Sequence, residues 1–155
     1  MPQSLLLIGI GNDYRSDDGV GLAAIRVLKT KEFPDTQFSE NSGDGAELME
    51  IWKHASMVII IDAVSSGAQP GTIYRFDALA QPISAEISLH STHAFGIAEA
   101  LGLAQALNQL PPRLIVYAIE GRNFNAGVGL SPEVVEAMQE VVEQVTHEVQ
   151  DYFAD

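Results

Sequence analysis

Short apolar runs closed by Gly, Asp or Asn alternate along this chain with segments whose apolar residues recur every three or four positions. The first kind reads as strands, the second as amphipathic helices packed on them. Strands are expected at 4–10, 36–40, 57–61, 72–76 and 113–119, the 36–40 strand being half polar. Met57-Val58-Ile59-Ile60-Ile61 has no alternation and is rich in β-branched residues, as in a strand covered on both faces. Helices are expected at 18–31, 46–54 and 92–107, and from Ser131 to the region of Tyr152. Ser131-Pro132-Glu133 offers an N-cap followed by proline at the first helical position. Val134, Met138, Val141, Val145 and Val149 then form a stripe that would face a core.

The order β-α-β-α-β-β-α-β-α implies an α/β fold of three layers. A five-stranded, mostly parallel, twisted sheet would carry helices on both faces. Only residues 62–71 join the third strand to the fourth, too few for a parallel crossover. The fourth strand is therefore expected to be an antiparallel edge strand. A length of 155 residues and a 46% hydrophobic content suit one domain, 1–155.

Composition narrows the chemistry. Eight Lys+Arg against 21 Asp+Glu give a formal charge of −13, which repels nucleic-acid phosphates and anionic lipid. Seven of the acids and no Lys or Arg lie beyond Ser131, and read as a solvated helix face. Cysteine is absent, which excludes disulfide scaffolds, thiolate metal sites and a Cys nucleophile. Any metal would be held by oxygen and imidazole. No basic stretch precedes Leu5, and no run approaches the ~20 apolar residues of a membrane span. The expectation is a soluble cytoplasmic protein with no nucleic-acid or membrane partner.

Open α/β sheets bind ligands beyond the C-terminal ends of their strands. Three segments fall there: Gly9-Ile10-Gly11 with Asp17-Asp18, then Asp62, then His90 and His93. Gly9-x-Gly11 lacks a third glycine, since Tyr14 stands in its place, and Asp17 and Asp18 would repel a phosphate. Only Glu40, suited to a ribose, favours a nucleotide, so the glycines read better as a tight turn under the sheet edge. Asp17 and Asp18 could simply cap a helix, and Asp62 could simply form a turn. Asp62, however, follows an apolar β-branched run, so its carboxylate would emerge at the strand's end, where sites form. His93 opens an apolar helix, whereas His54 and His147 sit among charged neighbours and read as surface residues. Carboxylates with imidazole suit Zn²⁺ or Ni²⁺. Neither a His-Glu-x-x-His helix nor a Gly-x-Ser-x-Gly elbow is present.

The ordered set of motifs resembles the nickel–iron hydrogenase maturation endopeptidases. Its parts are Leu5-Leu6-Leu7-Ile8-Gly9-Ile10-Gly11-Asn12, Asp17-Asp18-Gly19-Val20-Gly21, Val58-Ile59-Ile60-Ile61-Asp62-Ala63-Val64, Pro70-Gly71-Thr72, His93-Ala94-Phe95-Gly96-Ile97 and Gly129-Leu130-Ser131-Pro132. The resemblance spans essentially the whole chain. It implies a peptidase that removes the C-terminal extension of a hydrogenase large-subunit precursor after nickel insertion. It places the metal-contacting and catalytic trio on Asp18, Asp62 and His93, with Asp18 where relatives often carry Glu. Nickel would then arrive with the precursor rather than as a resident cofactor, and the precursor would supply the thiolates. A monomer that docks transiently is expected.

One segment departs from the pattern. Many relatives carry Asp-Gly-Gly-Thr after strand two, where this chain has Asn41-Ser42-Gly43-Asp44-Gly45. That difference bears on which hydrogenase is processed, a cytoplasmic bidirectional type being the working expectation. Two other readings use the same trio: a self-contained metal-dependent hydrolase, and a non-enzymatic nickel-delivery or chaperone module. If nickel only marks the substrate, an acid of the trio or Asp17 must activate water.

Overall fold

The computed structural model describes residues 4–80 and 94–154, the side chains of 94–96 excepted. The strands are β1 (Leu5–Ile10), β2 (Thr36–Asn41), β3 (Met57–Val64), β4 (Ile73–Asp77) and β5 (Arg113–Glu120). The helices are α1 (Val20–Lys29), α2 (Gly45–Trp52), α3 (Ala94–Ala106) and α4 (Pro132–Ala154), with a 3-10 turn at Ser16–Gly19. The strands form one sheet in the order β2-β1-β3-β5-β4. All neighbours are parallel except β4, which lies antiparallel at the edge against β5. The expected architecture is therefore observed, with α1 and α4 on one face and α2 and α3 on the other.

Alternation along the strands divides the core in two. Leu5, Leu7, Ile59, Ile61, Tyr117 and Ile119 pack under α1 and α4. Leu6, Ile8, Val58, Ile60, Leu114 and Val116 pack under α2 and α3, around the fully buried Trp52. At ~25 cal/mol per Å² of apolar surface removed from water, these two layers supply most of the driving force for folding.

Several boundaries differ from the sequence expectation. The helix expected from residue 18 begins at Val20, and Asp17 and Asp18 lie in the 3-10 turn before it, with no side-chain cap bond. β3 runs on to Val64, so Asp62 is inside the strand and 2% exposed rather than in a turn beyond it. The acidic face of α4 is not wholly solvated. Arg75 of β4 pairs with Glu148, which also accepts from the buried Tyr117 hydroxyl, and Arg122 pairs with Glu133. Burial, and then the bond to Glu148, push the Tyr117 phenol well above its usual range.

The link from β3 to β4 passes over the end of β5, because β4 lies beyond β5 and not beside β3. Residues 65–72 are tied down there. Gly71 N–H donates to Glu120 O at 2.8 Å, and Glu120 N–H donates to Thr72 O at 2.8 Å. Gly121 N–H donates to Val64 O at 3.0 Å.

Candidate active site

β1 leads through α1 to β2 on one side, while β3 lies on the other side of β1. This reversal opens a crevice between the C-terminal ends of β1 and β3, the place where open α/β sheets bind ligands. The β1 pairing of β3 ends at Gly9↔Ile61. β3 continues for Asp62, Ala63 and Val64, paired on its other side with Ala118, Ile119 and Glu120 of β5. Asp62 is thus the first β3 residue past its β1 partner. Its Oδ1 accepts from the N–H of Ala63 at 2.8 Å. By strand alternation it shares the α2/α3 face with Ile60 and Val58.

Asp18 lies in the 3-10 turn that leads from β1 into α1, and the position of that turn depends on glycines. A Cβ on Gly21 would lie 2.3 Å from the carbonyl oxygen of Ile61 and 2.6 Å from that of Ile10. A Cβ on Gly11 would lie 2.0 Å from the carbonyl oxygen of Asp18. Only the bare backbone lets the turn and the start of α1 seat directly on β1 and β3. A Cβ on Gly9 would lie 2.4 Å from the carbonyl oxygen of Gly21, so the turn-packing reading accounts for both Gly9 and Gly11. Asp18 is completely buried.

Asp17 and Asp18 are adjacent and equally buried, yet their surroundings differ. Asp17 accepts from the N–H groups of Arg122 at 2.8 Å, Asn123 at 2.9 Å and Ser131 at 2.7 Å, and from the Ser131 hydroxyl at 2.8 Å. Burial pushes its carboxyl up, but these donors together outweigh burial and hold it below the ordinary carboxylate value. Asp17 is therefore a clamp between the loop after β1 and the loop after β5. Three of these bonds go to Oδ2 and one to Oδ1, so the carboxylate is an acceptor for its own chain on both oxygens. Ser131, read as an N-cap, gives its hydroxyl to this clamp, while its carbonyl accepts from Val134 and Val135.

Two buried polar residues were not singled out as site candidates. Glu120, 2% exposed, ends β5 as Asp62 interrupts β3, and the same signal marks it: an acid closing an apolar run. Its carboxylate accepts from the Ser66 N–H at 2.8 Å and from the Ser66 hydroxyl. Asn41, 4% exposed, ends β2; its carbonyl accepts from Gly11 N–H at 3.0 Å and its Oδ1 from Gly43 N–H at 2.6 Å. In the segment that departs from the relatives' pattern, Asp44 caps α2 by accepting from Glu47 N–H at 3.1 Å.

An open cleft of about 420 Å³ adjoins Asp18, lined also by Gly11, Asn12, Asp13, Tyr14, Arg15, Leu22 and Ser42. Arg26 braces its outer wall, donating to Asp13 at 2.9 Å and to Glu40 at 2.7 Å. Glu40, considered for a ribose, is engaged in that pair. The bonds to Glu40 and then Asp13 raise the Arg26 guanidinium further above its ordinary value. His54 and His147 are exposed, as expected of surface residues. His90 and His93 lie outside the described residues. Among the described residues no group of three or more metal-ligating side chains assembles; Asp18 and Asp62 are both buried toward the C-terminal ends of the strands, and His93, the third member of the expected trio, lies outside the described residues. No described helix is long and apolar enough to cross a membrane.

Residues 28–148 match the family profile for hydrogenase maturation proteases (HycI). The hydrogenase expression/formation protein HoxM of Azotobacter vinelandii is 30% identical over 142 residues, covering 88% of this chain and 67% of that protein. HupD of Thiocapsa roseopersicina is 27% identical over 142 residues, covering 90% of this chain. The chain spans 64% of the length of that HupD. The hydrogenase maturating endopeptidase HybD from E. coli superposes with a TM-score of 0.83 at 21% identity, covering 97% of this chain and 94% of that one, which establishes the fold.

Proposed function

This chain belongs to the hydrogenase maturation protease family, and from that premise we propose that it is the endopeptidase that trims the C-terminal extension from a nickel–iron hydrogenase large-subunit precursor. The observation that supports this reading is the burial of two carboxylates toward the C-terminal ends of the strands, Asp62 in β3 and Asp18 in the turn before α1, with α1 seated on β3 where Gly21 meets Ile61. The substrate brings the nickel. Asp18, Asp62 and His93 are the residues that would touch it, His93 directly preceding α3 in the chain. α3 leads to β5, which starts at the opposite sheet edge, so its first residues lie toward the edge that holds Asp62. Two oxygens and one imidazole nitrogen leave coordination positions for the precursor's own ligands.

Hydrolysis places a water oxygen on the scissile carbonyl carbon and a proton on the departing amine. Bound nickel would supply Lewis acidity to that carbonyl. The carboxylates of Asp18 and Asp62 offer the proton-accepting oxygens, and burial strengthens their electrostatic effect relative to water. In this reading the peptidase acts as a monomer in the cytoplasm.

The decisive experiment incubates the purified precursor, with and without nickel, with the purified protein and measures its mass. Loss of the C-terminal extension from the nickel-loaded form alone is the expected result. Equal trimming of the metal-free precursor would overturn nickel recognition. Metal transfer with the C-terminal extension retained would overturn the peptidase assignment.

A further inference from the structure

Tyr14 and Val128 are the two most exposed large apolar side chains among the described residues, at 73% and 81%. They lie far apart in sequence, on the loops after β1 and β5, but backbone pairing makes them neighbours. Gly127 N–H donates to Tyr14 O at 2.9 Å, Ser16 N–H donates to Gly127 O at 3.0 Å, and Arg15 and Gly127 form a parallel bridge. The Ser16 hydroxyl adds a bond to Asn125 O at 2.8 Å. Asp17 clamps the same two loops from beneath through Arg122 and Asn123. The result is a braced crest whose backbone is committed and whose apolar side chains stand in water. Apolar surface left exposed in that way forgoes burial energy, and such surface marks interaction sites.

The crest is continuous with the candidate site, because Tyr14 lines the same cleft as Asp18. We propose that the Tyr14–Val128 crest is the docking surface for the extended segment of the precursor beside the scissile bond, seating an apolar side chain of that segment. This rests on the peptidase reading above. The occupant is a peptide rather than a membrane, because a chain of formal charge −13 is repelled by anionic lipid. It is the substrate rather than a second copy, because a copy seated on the crest would obstruct the cleft at Asp18.

The test compares processing of the nickel-loaded precursor by the wild type, by the Tyr14→Ser/Val128→Ser double variant and by Leu107→Ser. Leu107 is 52% exposed and follows α3 toward the opposite sheet edge, so it serves as the control. The double variant is expected to raise KM at least about tenfold with a smaller effect on kcat, which is the size of effect from losing one or two buried apolar contacts. Leu107→Ser is expected to leave both unchanged. A photoreactive phenylalanine analogue at position 128 is expected to cross-link the precursor. An unchanged KM in the double variant, with the wild type active, overturns the crest and leaves the peptidase reading standing. A wild type that does not trim the precursor overturns that reading. Absence of the cross-link in that case overturns the crest as well.

Discussion

The two edges of the sheet hold clefts of similar size and opposite character. The N-terminal edge has the larger, about 500 Å³, lined by Ser4, Thr36, Gln37 and His54 among others. Its one lining carboxylate, Asp35, is exposed, and its nearby hydroxyls bond one another, as Ser56 does with Tyr152 at 2.6 Å. The C-terminal edge has about 420 Å³. Yet all six buried polar residues of the described chain lie at or beside that edge: Ser16, Asp17, Asp18, Asn41, Asp62 and Glu120. Withdrawing a carboxylate from water is costly unless donors compensate it. At this edge backbone N–H groups provide such compensation, from other loops for Asp17 and Glu120 and from the next residue of its own strand for Asp62. Burial of charge, rather than volume, separates the site from a surface groove.

The comparison can be broken most directly at Asp62. Asp62→Ala is expected to lower precursor trimming by at least about 10²-fold with an unchanged circular-dichroism spectrum. Full trimming by this variant would remove the C-terminal edge from the chemistry.

The next effect falls on stability, at Asp17. Asp17→Ala leaves three N–H groups and one hydroxyl without their acceptor, and about 2–4 kcal/mol should be lost in urea unfolding. The sign of its pH dependence follows from a folded-state value lowered below the unfolded one. The contribution is complete above about pH 4 and is lost as pH falls through the lower folded value. The variant's stability should therefore change less than the wild type's across that acid range. Parallel acid curves would show that the clamp does not lower the Asp17 carboxyl in the folded state.

The smallest effect is expected at the opposite edge. His54→Ala and Gln37→Ala should each leave trimming unaltered and stability within about 0.5 kcal/mol. A large loss of trimming there would mean that the larger cleft contributes to the site.

The fold was legible because apolar runs and helical periods point the same way along the whole chain. The short 62–71 link was enough to call for an antiparallel edge strand, which β4 is. What could not be read was that β4 passes beyond β5, since this depends on Glu120 and Ser66 meeting across 54 positions. Asp62 was legible because it closes the apolar run 57–61, although the strand itself continues to Val64. The separation of Asp17 from Asp18 was not legible from the residues. Two adjacent identical side chains carry no local distinction, and the donors that claim Asp17 come from residues 105 to 114 positions away. The resemblance, not periodicity, pointed to Asp18. Glu120 could have been found by applying to β5 the argument used for β3.

The Asp17 clamp also bears on how such a chain can change in length. Surface loops commonly accept insertions, since lengthening a flexible loop costs little entropy. The loop after β5 is different, because residues 122, 123 and 131 converge on one carboxylate whose neighbour lines the cleft beside β1. An added residue there would pull on Asp18 through Asp17. Length can vary instead at the exposed turn before β2 and at the connection from α3 to β5, which bear no such tie to the crevice. Longer members of the family are thus expected to place their additional residues in segments of that kind, leaving the 122–131 loop at constant span.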